Sequence, residues 1–350
     1  MSKAKIINFE VSSADLNAVF DQKTVLVTGG TGSFGRAFVR SVLERCTPRK
    51  VIVYSRDEQK QFDMAQHPAF ADYAKTLRFF IGDVRDYDRL EMALREVDYV
   101  IHAAALKHVP AAEYNPMECI KTNVHGAENL AMAAIRTGVQ KVIALSTDKA
   151  VNPVNLYGAS KLASDKIFVA ANSLSGDHGP RFAVARYGNV IGSRGSIVPF
   201  FREIIANGAK QLPITDPEMT RFWITLGQGV SFVFSCLQMM KRGEIFVPKI
   251  PSMAVVDLAR VLAPDLPHET IGIRPGEKLH EVLVTEDDAR NTIELPDRFV
   301  IRPTLYPDWA SGYHEEERPL RDGYRYASNN NPHFLDSEGM KYLLKESELS

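Results

Sequence analysis

Between residues 23 and 190 the chain carries six short apolar runs: Thr24-Val25-Leu26-Val27-Thr28, Val51-Ile52-Val53-Tyr54, Leu77-Arg78-Phe79-Phe80-Ile81, Tyr99-Val100-Ile101-His102, Lys141-Val142-Ile143-Ala144-Leu145-Ser146 and Phe182-Ala183-Val184-Ala185. They are rich in β-branched and aromatic residues and show little polar alternation, the pattern of strands buried on both faces. Helical segments such as Arg36 to Arg45 separate them. The alternation predicts βαβ units feeding a parallel sheet. The expected fold class is α/β: a Rossmann-like doubly wound parallel sheet with a smaller C-terminal α/β substrate-binding lobe.

The pattern also divides the chain. Residues 1–22 precede the first clear strand and read as an N-terminal extension lying on the surface or on a neighbouring subunit. Phe232 to Met240 reads as a helix and Glu244 to Val247 as a strand, so residues 23–190 plus about 226–250 are expected to form the sheet-bearing domain. Residues of about 191–225 plus 251–350, richer in prolines and loops, are expected to cap the sheet's carboxyl edge as the substrate-binding domain.

Composition narrows the functional classes. A formal net charge of -1 on 350 residues gives no electrostatic case for nucleic acid or an anionic membrane. No apolar run approaches the roughly 18 residues of a membrane span, and the polar opening Met1-Ser2-Lys3-Ala4-Lys5 lacks a signal-peptide core. A soluble, cytoplasmic protein is expected. Cys46, Cys119 and Cys236 are scattered and odd in number, and His102, His108 and His280 fall in no ligand spacing, so neither a disulfide framework nor a metal is expected.

After the first strand comes Thr28-Gly29-Gly30-Thr31-Gly32-Ser33-Phe34-Gly35, then a helix. Glycines at 29, 32 and 35 permit a tight turn and close backbone approach to a pyrophosphate at the helix start. The second strand ends in Tyr54-Ser55-Arg56-Asp57, where Ser55 occupies the position at which NAD-selective sites offer a carboxylate to the ribose. A small hydroxyl followed by Arg56 and Lys60 suits the 2′-phosphate of NADP, while Asp57 keeps NAD open. Asp83 and Val84 could flank adenine, and Ala103 and Ala104, with Ala105, supply a wall of small residues. The sheet-bearing domain is thus read as NADP-binding.

Chemistry concentrates after the fifth run, where Ser146-Thr147-Asp148-Lys149 precedes Tyr157-Gly158-Ala159-Ser160-Lys161. The carboxyl end of a parallel strand is where open α/β sheets bind ligands. Tyr157 and Lys161, four residues apart, share one helix face, so the Lys161 ammonium can favour the Tyr157 phenolate and make it a base. Asp148 and Lys149 on their own could equally be an ion pair in a loop.

Together with Tyr54-Ser55-Arg56-Asp57-Glu58, Ala105-Leu106-Lys107-His108-Val109-Pro110, Glu113-Tyr114-Asn115-Pro116, Ser146-Thr147-Asp148-Lys149-Ala150, Arg186-Tyr187-Gly188-Asn189-Val190 and Ile271-Gly272-Ile273-Arg274-Pro275-Gly276-Glu277-Lys278, these motifs resemble the extended short-chain dehydrogenase/reductases. Within that family they resemble the inverting UDP-N-acetylglucosamine 4,6-dehydratases that open pseudaminic acid and some capsular sugar pathways. The resemblance runs from about residue 23 to 290. It implies NADP as cofactor, UDP-N-acetylglucosamine as substrate, and UDP-2-acetamido-2,6-dideoxy-β-L-arabino-hex-4-ulose as product. It also implies a homo-oligomer, dimeric or hexameric.

By the family's pattern Tyr157 takes the C4 hydroxyl proton, Lys149 is the C5 base, Asp148 the acid for the departing 6-hydroxyl, and Thr147 a donor to the C4 oxygen. Lys149 stands where configuration-retaining relatives commonly have Glu. As a base it must lose its proton, and Lys161, the oxidised nicotinamide and burial are expected to lower its pKa. The same pattern nominates Asn189, Arg194 and Arg221 for the phosphates, Arg274 and Glu277 for the uridine ribose, and Lys107 for the sugar. Two other readings stay open. A nucleotide-sugar 4-epimerase needs Tyr157 and Lys161 but no C5 base, and a non-catalytic NADP-sensing protein needs only the glycine turn.

Overall fold

The computed structural model describes residues 9, 11–193, 195–313 and 317–349. The six apolar runs form strands β1 (Thr24–Thr28), β2 (Lys50–Ser55), β3 (Leu77–Ile81), β4 (Tyr99–His102), β5 (Lys141–Thr147) and β6 (Arg181–Tyr187). They pair in parallel in the order β6-β5-β4-β1-β2-β3. Chain direction across the sheet reverses between β1 and β4, so a crevice opens there at the carboxyl ends of the strands. β1 and β4 are buried at every position, which is why their sequences show no alternation.

The sheet extends further than the first six strands. Ile245–Pro248 adds in parallel beside β6. Arg298–Ile301, Thr292–Glu294 and Arg318–Pro319 then follow in antiparallel pairings, giving ten strands. This corrects the expectation that all of 251–350 belongs to a cap. Ile293, Phe299, Val300 and Ile301 instead extend the core of the main sheet.

The N-terminal extension is also not a surface appendage. Ser13–Phe20 is a helix capped by the Ser12 hydroxyl, which accepts the Asp15 N–H at 3.1 Å. Leu16 and Phe20 are buried, and the Phe20 ring lies 6.3 Å from Phe38, 6.1 Å from Tyr99 and 5.4 Å from Phe234. Phe9 meets Phe232 at 5.0 Å. Such aromatic edges bury large apolar areas, so the segment completes the core. Residues 1–8 and 10 lie outside the described residues.

A smaller set of elements sits over the carboxyl edge. Ser252–Ala254, Thr220–Ile224 and Asn189–Val190 form one sheet, His268–Thr270 pairs with Leu212–Ile214, and Val282–Val284 pairs with Tyr326–Ala327. Among the described residues three satellite cores hold this lobe, around Trp223, Met253 and Leu343, around Phe201, Ile214 and Val255, and, with Val151, around Val282 and Ala327. Among the described residues no helix is long and apolar enough to cross a membrane, and no group of three or more His, Cys, Asp or Glu side chains could hold a metal ion.

Candidate active site

A cleft of about 680 Å³ runs from the β1 turn across the carboxyl edge to the smaller lobe. Its first part is backbone. Gly29 has φ +63°, and a Cβ there would lie 2.9 Å from the Ala103 carbonyl carbon and the Ala104 nitrogen. A Cβ on Gly35 would lie 2.5 Å from Gly30 Cα, so only glycine lets the helix Ser33–Arg45 seat on the turn. That helix has no side-chain cap, and Gly29, Thr31, Gly32, Ser33, Phe34 and Gly35 line the cleft. Unsatisfied N–H groups and a helix dipole together suit a pyrophosphate.

Ser55, Arg56, Lys60, Asp83, Val84, Ala103 and Ala104 line the same region. The Thr31 hydroxyl donates to Ser55 Oγ at 3.3 Å. Arg56 is 58 % exposed and 3.7 Å from the Asp83 carboxylate, while Lys60 is bound to Asp57 at 2.5 Å. Both cations expected at a 2′-phosphate therefore already have carboxylate neighbours. Thr28 departs from expectation: it is buried, its hydroxyl lies 2.9 Å from His102 Nδ1 and accepts the Ala104 N–H at 3.3 Å. It braces the turn and does not line the cleft.

The catalytic candidates meet where β5 ends. Asp148–Ala150 form a single 3₁₀ turn, and the helix Leu156–Leu174 starts at Asn155, whose side chain accepts the Gly158 N–H at 2.8 Å. Asn155 also donates to the Gly276 carbonyl at 2.8 Å, tying the helix start to the smaller lobe. Gly158 lies so close to the turn that a Cβ would be 2.1 Å from the Lys149 carbonyl oxygen. Thr147, Lys149, Tyr157 and Lys161 all line the cleft.

Asp148 does not: its side chain is fully buried. Its Oδ1 accepts from the Thr147 hydroxyl and from Lys149 Nζ, each at 3.0 Å, and Oδ2 has no hydrogen-bond partner among the described residues. Burial pushes this carboxyl up, only partly opposed by Lys149. The Asp148 carboxyl thus meets the cleft through the Thr147 hydroxyl. That hydroxyl, expected at the C4 oxygen, is engaged with Asp148.

Lys149 overturns its expected direction. Burial alone would lower its pKa, but the Asp148 carboxylate at 3.0 Å and the Glu281 carboxylate at 3.6 Å outweigh burial and hold it above its ordinary value. Tyr157 is pushed up to about 12 by burial, and the cation that opposes this is Lys149 rather than the expected Lys161. Lys161 is itself lowered by burial, with Asp165 acting against that shift. Asp165 accepts from Ser146 at 2.7 Å and pairs with Arg186 at 3.3 Å, a buried brace behind the site.

The substrate candidates separate. Lys107 and Asn189 line the cleft; burial and nearby Lys149 lower the Lys107 pKa, and Asn189 Oδ1 is buried without a hydrogen-bond partner among the described residues. Arg194 lies outside the described residues. Arg221 is buried and turned inward: it donates to the carbonyls of Thr220, Leu279 and Lys278 at 2.7, 3.1 and 2.9 Å, with Nε 4.0 Å from Glu281. Its NH1 and NH2 groups thus donate to backbone carbonyls, and Arg221 does not line the cleft. Arg274 and Glu277 lie on the 271–278 loop and do not line this cleft.

Two features escaped sequence reasoning. Ser193, Gly195 and Ser196 line the cleft, and the helix Ile197–Ala206 begins at Ser196 without a side-chain cap, a second helix start facing the same space. Glu281 is 2 % exposed and faces Lys149, Arg221 and Lys278. Its signal is an acid at the same parity as Leu279 and Leu283 beside an apolar strand, where an inward-facing residue is expected.

Turn, helix start, Tyr157 and Lys161 around one crevice define a dinucleotide-dependent enzyme of the extended short-chain dehydrogenase/reductase class. The chain belongs to the family described as polysaccharide biosynthesis protein, whose signature matches residues 25–303. It is 54 % identical over 336 residues to the UDP-N-acetylglucosamine 4,6-dehydratase (inverting) of Campylobacter jejuni subsp. jejuni serotype O:2, covering 94 % of this chain and 99 % of that one. It is 43 % identical over 290 residues to a UDP-glucose 4-epimerase of Rickettsia canadensis, covering 81 % and 84 %. Among solved structures, Pen from Bacillus thuringiensis superposes with a TM-score of 0.85 at 35 % identity, over 95 % of this chain and 99 % of that one. DesIV, a dTDP-glucose 4,6-dehydratase from Streptomyces venezuelae solved with NAD bound, superposes at 0.64 and 26 % identity, over 73 % and 86 %.

Proposed function

We propose that the chain is a UDP-N-acetylglucosamine 4,6-dehydratase that inverts C5, using NADP bound along the glycine turn. The observation that carries the reading is Lys149 on the cleft wall beside Tyr157, hydrogen-bonded to a buried carboxyl. A 4-epimerase needs one base, whereas elimination across C5 and C6 needs a second base and an acid. The name and 54 % identity of the Campylobacter relative support the same substrate and outcome.

When bound, the cofactor supplies a hydride acceptor for C4 and a hydride donor for C6. Tyr157 takes the C4 hydroxyl proton, favoured by the neighbouring Lys149 ammonium. The C4 ketone then acidifies the C5 hydrogen. Lys149 passes its proton to Asp148 across the 3.0 Å contact, which creates a neutral amine and a protonated carboxyl in one step. The amine removes the C5 proton. The Asp148 proton reaches the departing 6-hydroxyl through Thr147, which touches both Asp148 and the cleft. Inversion requires C5 to take a proton from solvent on the face opposite Lys149, while Tyr157 releases to solvent the proton it took from the C4 hydroxyl, so the protons balance.

The substrate is proposed to lie between the sheet edge and the smaller lobe, with Lys107 and Asn189 at the sugar-nucleotide and the helix starts at Gly32 and Ser196 serving phosphates of cofactor and substrate. NADP preference rests on Ser55, which offers no carboxylate, and on exposed Arg56. The test is incubation with UDP-N-acetylglucosamine, followed by mass spectrometry and proton NMR. Loss of one water with a new 6-methyl signal is expected. Lys149→Met should oxidise C4 more slowly, because the cation that favours the Tyr157 phenolate is gone, and should neither exchange the C5 hydrogen with solvent nor lose water. Near-wild-type 6-deoxy product from that variant refutes the mechanism, and a C4 epimer without water loss from the wild type establishes the epimerase instead.

A further inference from the structure

Lys149 sits between two carboxylates, and only one of them belongs to the strand-end motif. Glu281 reaches the site from the smaller lobe, immediately before Val282–Val284. Its backbone is clamped: its N–H donates to the Ser328 hydroxyl at 2.9 Å and its carbonyl accepts the Ser328 N–H at 2.8 Å. Its side chain is 3.6 Å from Lys149 Nζ, 3.5 Å from Lys278 Nζ and 4.0 Å from Arg221 Nε. A carboxylate this buried is costly unless paired, and Arg221 and Lys278 are themselves anchored to backbone carbonyls. Against burial, Lys149 first, then Arg221 and Lys278, hold the Glu281 carboxyl below its ordinary range, and the two anchored cations fix it with one contact directed at the amine that must gain and lose a proton.

We propose that Glu281 is a positioning residue for the Asp148–Lys149 pair: its fixed negative charge holds Lys149 against Asp148 and keeps the one transferable proton on the pair through every cycle. The inference rests on the dehydratase reading. In elimination the C5–H bond breaks, its proton going to Lys149 Nζ and its electron pair forming the C5–C6 double bond. The C6–O bond breaks, its electrons leaving with the oxygen, which takes the Asp148 proton and departs as water. Lys149 then returns its proton to Asp148 across 3.0 Å, and the pair again carries one proton. The cycle fails if that proton escapes to solvent, leaving Asp148 ionised and Lys149 neutral with no acid present. A fixed negative charge 3.6 Å from Nζ opposes that escape.

The other charges facing the pair do not substitute for it. Lys149 also faces Arg221, Tyr157 and Lys107, of which the first and last favour proton loss while Tyr157 is neutral as the phenol. Asp148 faces Glu281, Lys149 and the Thr147 hydroxyl. Among the described residues, Glu281 is the leading carboxylate beyond the pair itself that keeps the proton on Lys149.

The test is the pH profile of water loss in Glu281→Gln and Glu281→Asp, read by the 6-methyl NMR signal and by solvent deuterium entry at C5, with UDP binding and thermal melting as controls. Removing a negative neighbour eases proton release, so both limbs of the kcat profile should move to lower pH in Glu281→Gln, by about 1–3 units, with KM nearly unchanged. Glu281→Asp keeps the charge one methylene further back and should lie between that variant and wild type. A Glu281→Gln profile that keeps the wild-type limbs and falls only in height or thermal stability would mean a merely structural role and overturn the proposal. If Glu281→Gln does not fold, Glu281→Asp decides alone: limbs displaced downward support the proposal, and limbs coincident with wild type overturn it. Failure of wild type to lose water, or full activity in Lys149→Met, would instead defeat the dehydratase reading itself.

Discussion

Gly158→Ala tests how closely the catalytic turn and the tyrosine-bearing helix are set. Within the first turn of an ordinary helix, exchanging glycine for alanine gains up to about 1 kcal/mol from backbone entropy. Here the new Cβ would stand 2.1 Å from the Lys149 carbonyl oxygen and 3.1 Å from Pro153 Cβ. Ordinary contact begins near 3.4 Å, so turn and helix must separate by about 1.3 Å. The obstacle is backbone and cannot rotate away. Overpacking of this kind costs about 1–3 kcal/mol, which outweighs the propensity gain. Activity should suffer more than stability, because the displacement falls between Lys149 and Tyr157, and a misplacement near 1 Å can reduce rate about 100-fold. The assay pairs urea unfolding with 6-deoxy product formation, using Gly229→Ala as the control. Gly229 lies in the helix Leu226–Met239 with nothing within 4 Å of its added Cβ, so its substitution should be neutral or mildly stabilising. A Gly158→Ala protein with wild-type rate and stability would refute the close setting of these two elements.

Other outcomes follow from single contacts. Arg56→Ala should weaken NADP by about 10- to 100-fold, the worth of a charge-assisted hydrogen bond, and leave NAD nearly unchanged by calorimetry; equal losses would remove Arg56 from the 2′-phosphate. Phe20→Ala should cost about 3–5 kcal/mol in denaturant unfolding, because the ring is buried among Phe38, Tyr99 and Phe234; a loss below about 1 kcal/mol would return the N-terminal segment to the surface. His102 is held down to about 3 by burial, with Lys161 adding to the effect, against an unperturbed 6.5. Its contribution to stability is full above 6.5 and is lost as pH falls toward 3. His102→Asn should flatten the stability decline across that window in melts run as a function of pH, and an unchanged slope would show that another group titrates there.

The parallel strands were legible because a strand buried on both faces writes itself as an uninterrupted β-branched run, as in Thr24–Thr28 and Tyr99–His102. The strand-end motif was legible because its chemistry is local: Thr147, Lys149, Tyr157 and Lys161 share one loop and one helix turn. What escaped depends on distant partners. Ser13–Phe20 is short and weakly patterned, and its burial is decided by Phe38, Tyr99 and Phe234. Thr292–Glu294 and Arg298–Ile301 are too brief to announce a sheet until the second pairs with Ile245–Pro248 and the first with the second. Arg221 alternates with its neighbours in a fully buried strand, so sequence alone could not say that its guanidinium turns toward the 278–281 segment. The upward shift at Lys149 comes first from adjacent Asp148, and its second carboxylate, Glu281, lies far along the chain.

The strand Ile245–Pro248 has a consequence for how the polypeptide is made. It docks against Val184 and Ala185 only after the smaller lobe's first elements have been synthesised, and the helix Leu226–Met239 supplies Phe232 and Phe234 to the aromatic cluster begun by Phe9 and Phe20. A nascent chain that has emerged only to residue 190 therefore presents β6 as an open apolar edge and its first helix without the Phe232 and Phe234 side of its seat, a template for wrong pairing. The dinucleotide-binding part is not a module that can be excised or transplanted as one contiguous piece. Its closure waits for residues inserted beyond its apparent end, so ribosome-bound intermediates, truncations and chimaeras joined near residue 190 should depend on chaperones or aggregate.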